Sequence, residues 1–263
     1  MKIFELLSDI KKQNGLLYWM GVANMILFAA CFVFYFFDSR LIMGINPWIK
    51  PMKFGLSVAI YCWTFGWLLQ FLVRKFNVKL ISWVVALCMI VENVIITLQA
   101  ARGVTSHYNI SSGLDAALFG TMGTFIGINT VIVFYTLLLF LFSETTLNKN
   151  MLLAWQLGLF LFFVGGIAGG MMISNLAHTI GTADGSEGIA FLNWSQVAGD
   201  LRSAHFITLH GLQAIPLFAF FISDQTKWPR LYTTLFYMLY ALVCIRLHHV
   251  ALAGKPFFDF FSM

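Results

Sequence analysis

Apolar residues recur along this chain in long unbroken runs rather than in the alternating or one-face patterns of a water-soluble fold. A helix rising 1.5 Å per residue needs about 20 apolar residues to cross roughly 30 Å of hydrocarbon. Seven runs meet that length, at about 16–37, 54–73, 80–101, 116–142, 151–174, 201–222 and 231–253. No long polar linker separates them, so the pattern predicts one transmembrane domain over residues 1–263, an all-α polytopic bundle of seven transmembrane helices. Ahead of the first run, Lys2, Lys11 and Lys12 mix with Ile3, Phe4, Leu6, Leu7 and Ile10 at helical spacing, which predicts a short interfacial helix over 1–15 on the cytoplasmic side. The first run is too long for the apolar core of a signal peptide and no small-x-small cleavage site follows it, so it is read as a retained span. The longest connection, 175–200, is expected to form a lid-like loop on the extracytoplasmic side.

Composition sharpens this picture. With 60% hydrophobic and 10% charged residues, 28 Phe, 8 Trp and a mean hydropathy of +0.83, the chain holds more apolar surface than one soluble core of its size can bury. Lipid must solvate much of it. The net charge of +5 is spread singly and in pairs along the chain, which excludes the basic stripe of a nucleic-acid-binding protein. Cys31, Cys62, Cys88 and Cys244 stand alone in apolar runs and read as small core hydrophobes, not as a redox pair.

Orientation follows from where Lys and Arg gather. Lys2, Lys11, Lys12, Arg74, Lys75, Lys79, Lys149, Lys227 and Arg230 share one face and all sit in tails or connections. On the other face are Arg40, Lys50, Lys53, Arg102, Arg202, Arg246 and Lys255, several of which lie at or inside span ends rather than in free loops. The N-terminus is therefore expected in the cytoplasm and the C-terminus outside. Gly165, Gly166, Gly169 and Gly170 form overlapping small-x-x-x-small pairs that invite a close helix neighbour, and Pro216 is expected to kink the sixth span.

All six histidines fall in the outer half of this topology or in its outer connections. Ionisable groups in hydrocarbon cost about 2.5–3.5 kcal/mol on insertion scales, so embedded ones are candidates for function. Glu92 is the sharpest case: it shares a helical stripe with Gln99, lies beside Asn93, and has Arg246 as a candidate counter-charge. His107, His205, His210 and His248 are candidate metal ligands, with Glu92 or Asp200 as a general base. His205 and His210 are not an i,i+4 pair, so a metal (zinc, copper or iron) would need ligands from several helices; haem is the lesser alternative. Lys50, Lys53, Arg102 and Arg202 could form a basic vestibule for a carboxylate, phosphate or lipid headgroup, with Gln99, Gln213 and Arg246 as further ligand-binding positions. Asp184 and Glu187 in the long connection lack the repeated acidic spacing of a calcium loop.

The segments NPWIKPMKF, LQAARGVTSHYN, LAHTIGTADG and GDLRSAHFITLHGLQAIPL resemble those of a group of uncharacterised bacterial multi-pass membrane proteins, over about Asn46 to Pro216. The resemblance implies a bacterial inner membrane location and brings no activity with it. The last span lacks both the H-x-x-x-H of seven-span metal hydrolases and the mid-membrane Lys of retinal proteins. Two functional readings remain open. One is a carrier or sensor whose polar, His-rich extracytoplasmic pocket binds a small or lipid-derived ligand; the other is a metal-dependent membrane hydrolase or redox enzyme.

Overall fold

The computed structural model of the chain describes residues 3–185 and 188–261. Glu187 and Lys2 lie outside the described residues. All seven expected spans are helices long and apolar enough to cross a membrane. They are α2 (Gly15–Phe37), α3 (Ile49–Leu69), α4 (Lys75–Arg102), α5 (Gly113–Phe142), α6 (Lys149–Asn175), α7 (Leu201–Ile222) and α8 (Pro229–Leu252), preceded by α1 (Ile3–Gln13). Several begin earlier than their apolar runs. Pro51 is accommodated in the first turn of α3, where its missing N–H leaves no helical bond unmade, and Lys75 and Lys79 open α4 because long cationic side chains reach water from a helix end. The helix α7 runs through Pro216 without interruption.

Two compact units divide the chain, Met1–Ile132 and Val133–Met263, with the boundary inside α5. In the first, α2 and α3 form the most extensive pair, and α4 packs mainly on α3. Glycine permits the approach. A Cβ on Gly55 would stand 2.9 Å from the Asn24 carbonyl oxygen of α2. The amphipathic α1 buries Ile10 against Gly66 of α3 and leaves Phe4 exposed. Asn14, the residue between α1 and α2, caps α2 and donates from Nδ2 to Ser82 Oγ of α4 at 2.7 Å.

The second unit repeats that order with α6, α7 and α8. Here α6 and α7 are the most extensive pair. A Cβ on Gly158 would meet the Gly211 carbonyl at 3.1 Å, and one on Gly165 would meet Leu209 at 3.0 Å. The expected glycine stripe is thus a helix seam, although Gly170 faces open space. Asn150 at the start of α6 accepts from Thr233 Oγ1 of α8 at 3.0 Å and donates to the Ala219 carbonyl and Ser223 of α7.

The third helices of the two units end alike. In α4, Gly103 at φ +75° donates to the Ala100 carbonyl and Val104 donates to that of Gln99; in α8, Gly254 at φ +72° and Lys255 do the same to Ala251 and Val250. With these glycines superposed in sequence, every buried residue of α8 falls on a buried residue of α4: Thr233 on Ser82, Cys244 on Asn93, Leu247 on Ile96, Val250 on Gln99 and Ala251 on Ala100.

Between α6 and α7, Thr179–Ile180 (β1) pairs antiparallel with Gly199–Asp200 (β2) and closes the long connection at its base. Gly199 fits against the end of α8 so tightly that a Cβ there would lie 2.0 Å from the Ala251 carbonyl oxygen.

Candidate functional site

The helix α4 carries the polar interior of the first unit. Its burial follows the stripe read from spacing, with Glu92, Ile96 and Gln99 all buried. Glu92 is 3% exposed, and its carboxylate makes no hydrogen bond among the described residues. The cation whose field reaches it is Lys50, in the first turn of α3. Further along α4, Ile95 and Ile96 pack with Met122, Phe54 and Leu118, an apolar layer that lies between Glu92 and Gln99 along the helix. Lys53, at the start of the second turn of α3, is half-buried.

Beyond that layer the ends of α4 and α5 are tied by a carboxylate. Asp115 Oδ1 accepts from Gln99 Nε2 at 2.9 Å and from Arg102 Nη1 at 2.6 Å, and its Oδ2 accepts from the Ser112 hydroxyl at 2.6 Å. Arg102 also donates to Gln99 Oε1. Arg102 is thus paired with an internal carboxylate. His107 joins an aromatic group with Phe54, Tyr108 and Phe119 and meets the Ser106 hydroxyl at 3.2 Å. At the end of α2, Asp38 binds Arg40 through both carboxylate oxygens and accepts from the Trp48 indole. The Arg40 hydrogen bonds, with help from Trp48, hold Asp38 well below the usual carboxylate range despite partial desolvation.

In the second unit Asp200 is 1% exposed and caps α7. It accepts from the backbone N–H of Arg202 at 3.0 Å and of Ser195 at 2.7 Å, and both its oxygens bind the Arg202 guanidinium. A carboxylate so bonded holds the connection and the start of α7 together. Arg202 spends its remaining donor on the Asn193 carbonyl. His205 bonds through Nδ1 to the Gly165 carbonyl at 2.8 Å, and its ring occupies the space a Cβ on Gly169 would need, 2.9 Å from Cε1. His210 packs its ring 4.3 Å from that of Phe206 and hydrogen-bonds Gln213. Arg246 keeps Nε buried with no hydrogen-bond partner among the described residues. In the connection, Asp184 accepts from the His178 and Thr179 N–H groups at 3.0 and 2.9 Å and pairs with His178 Nδ1. Burial would raise its carboxyl, but the His178 donors outweigh burial and hold it well below the usual range.

No family model, curated protein or solved structure matches this chain. The resemblance to bacterial multi-pass proteins finds no support there, and function has to be argued from the residues. Among the described residues no group of three or more His, Cys, Asp or Glu side chains could hold a metal ion. The histidines occupy separate settings: His107 an aromatic group in the first unit, His205 a glycine seat and His210 the Phe206 ring in the second.

The partners Asp115, Asp38 and Asn24 were missed by sequence reasoning. Ser112-x-x-Asp115 ahead of an apolar run is a capping-box pattern, and Asn24 is a lone amide in an otherwise apolar span, so both carried a usable signature. Nothing in the sequence marks Thr97, whose buried hydroxyl has no partner among the described residues.

Proposed function

We propose that this integral membrane protein is a carrier or sensor that couples binding of a small polar or lipid-derived ligand to the charge state of Glu92. The observation that carries the reading is a carboxylate in the apolar interior of α4, without a hydrogen bond among the described residues and under the field of Lys50. A carboxylate kept only for structure has its oxygens filled, as those of Asp115 and Asp200 are. Glu92 instead keeps its capacity to exchange a proton or take a ligand, behind an apolar layer that slows water from the Gln99 end. The repeated three-helix order supports a carrier, since internal repeats are a common basis of transporter folds. The metal-dependent enzyme alternative has no three-donor group among the described residues to support it.

The Lys/Arg distribution supports an N-terminus in the cytoplasm, and the resemblance suggests a bacterial inner membrane. A C-terminal alkaline phosphatase fusion is expected to be active, and an inactive fusion with an active cytoplasmic reporter would reverse the orientation. For the site, protein in nanodiscs is screened by thermal shift against carboxylates, amino acids, amines and lysolipids at acidic and alkaline pH. At least one class is expected to stabilise wild type in a pH-dependent way, with that dependence lost in Glu92→Gln. A ligand response identical in Glu92→Gln removes Glu92 from the site.

A further inference from the structure

Half a turn away from its buried stripe, α4 shapes a groove with the start of α2. Leu16 of α2 and Trp83, Val84, Ala86, Leu87 and Ile90 of α4 line a space of about 240 Å3, and all six are apolar. Trp83, Leu87 and Ile90 are exposed along it, whereas Ala86 is buried, its small side chain leaving depth between larger neighbours. Trp83 and Glu92 lie about 180° apart around the helix, so the groove is separate from the interior around Glu92. Its two walls are tied at one end. Asn14 stands just ahead of α2 and donates to Ser82, the residue before Trp83, at 2.7 Å, which holds the α2 wall beside the α4 wall.

The stripe that carries the groove ends in positive charge. Positions 75, 79, 83, 87 and 90 are spaced by three or four and share one face of α4, so Lys75 and Lys79 continue the line of Trp83, Leu87 and Ile90 toward the start of the helix. Both lysines are exposed, and neither pairs with a carboxylate among the described residues. On the α2 side Lys11 stands over the Trp19 ring at 5.2 Å, one turn along from Leu16. We infer that the groove binds an anionic phospholipid, one acyl chain lying between Leu16 and the Trp83 to Ile90 face and the phosphate held by Lys75 and Lys79. A lining without a polar side chain suits a hydrocarbon chain and no headgroup. A plain helix face exchanges its lipids without choice, whereas a groove that ends at two unpaired cations selects by charge, each lysine adding about fivefold to binding. The inference is independent of the reading of Glu92.

The test uses the tryptophan that lines the groove. Protein is placed in phosphatidylcholine nanodiscs that carry, at equal mole fraction, either brominated phosphatidylglycerol or brominated phosphatidylcholine, and quenching of tryptophan fluorescence by the brominated chains is measured. Wild type is expected to be quenched more by the anionic lipid, with a preference of about tenfold. Trp83→Phe removes the reporter at an exposed position and is expected to abolish the excess quenching. The double variant Lys75→Gln/Lys79→Gln keeps the reporter and is expected to bring the two lipids within about twofold of each other. Equal quenching by both lipids in wild type overturns the site. So does an excess that persists in Trp83→Phe, which would place the anionic lipid at another tryptophan, or one that persists in the double lysine variant.

Discussion

Each unit contains an Asp-x-Arg clasp, and the two are nearly superposable while their surroundings differ. In Asp38/Arg40 the backbone N–H, Nε and Nη2 contacts are 3.1, 2.9 and 2.6 Å; in Asp200/Arg202 they are 3.0, 2.9 and 2.6 Å. The first is open, with side chains 48% and 15% exposed for Arg and Asp; in the second they are 24% and 0% exposed. Geometry alone therefore says little about what an ion pair contributes. Water competes for the open clasp, whereas the buried one also holds the start of α7 and the Ser195 N–H, so removing its carboxylate strands several donors at once.

The largest expected effect separates the clasps directly. Asp200→Ala should destabilise the protein by about 3–5 kcal/mol, read as the melting transition in nanodiscs, because the half-buried Arg202 guanidinium and the Ser195 and Arg202 N–H groups lose their acceptor together. Asp38→Ala should barely move that transition. Equal losses would mean that the environment of the clasp does not set its contribution. Next comes the helix seam: Gly169→Ala presses on the His205 ring and should lose about 1–3 kcal/mol, whereas Gly170→Ala, facing open space, should stay within about 0.5 kcal/mol of wild type.

A smaller pair contrasts the units through their hydroxyls. Thr233→Val removes the bond to Asn150 and should lose about 1 kcal/mol, while Thr97→Val should be neutral or slightly stabilising, since no bond is lost. A loss at Thr97 equal to that at Thr233 would show that its hydroxyl is satisfied. The smallest effect is local. Asp184 has a lowered folded pKa, so the stability it gives the connection is present above its unfolded value near 4 and is lost as pH falls through the folded value. Amide exchange around Thr179 and Asp184 should therefore speed up on acidification below about pH 4, and Asp184→Asn should show fast exchange already at neutral pH.

The seven spans were legible because lipid imposes a length and forbids unpaired charge, and both constraints act on the sequence one segment at a time. Glu92 stood out for the same reason. The seam at Gly165 and Gly169 was legible too, since small residues spaced by four have few other uses in a membrane helix. What could not be read was which side chains meet. Arg102 and Arg202 read in the sequence as candidate members of a basic vestibule, and the structure adds an aspartate beside each, Asp115 and Asp200, that spacing alone does not single out as the partner. The histidines crowd toward one face in the sequence reading, and their immediate settings emerged only from packing: His107 lies among Phe54, Tyr108 and Phe119, and His205 on the Gly165 carbonyl. Ile96 was read as part of the Glu92 stripe, and its layer with Met122 and Phe54 emerged only from packing.

The asparagine at the head of each unit has a consequence for the order of biosynthesis. Asn14 finds its hydroxyl on Ser82, and Asn150 finds one on Thr233, each on the third helix of its unit. The chain leaves the ribosome from its N-terminus, so both amides wait for two further spans to enter the membrane before those bonds can form. The glycine seam of α6 likewise stays bare to lipid until α7 arrives. Each unit is therefore completed by its last helix: in a chain arrested before α8 the Asn150 amide keeps its bonds to α7, but its Oδ1 lacks the Thr233 hydroxyl.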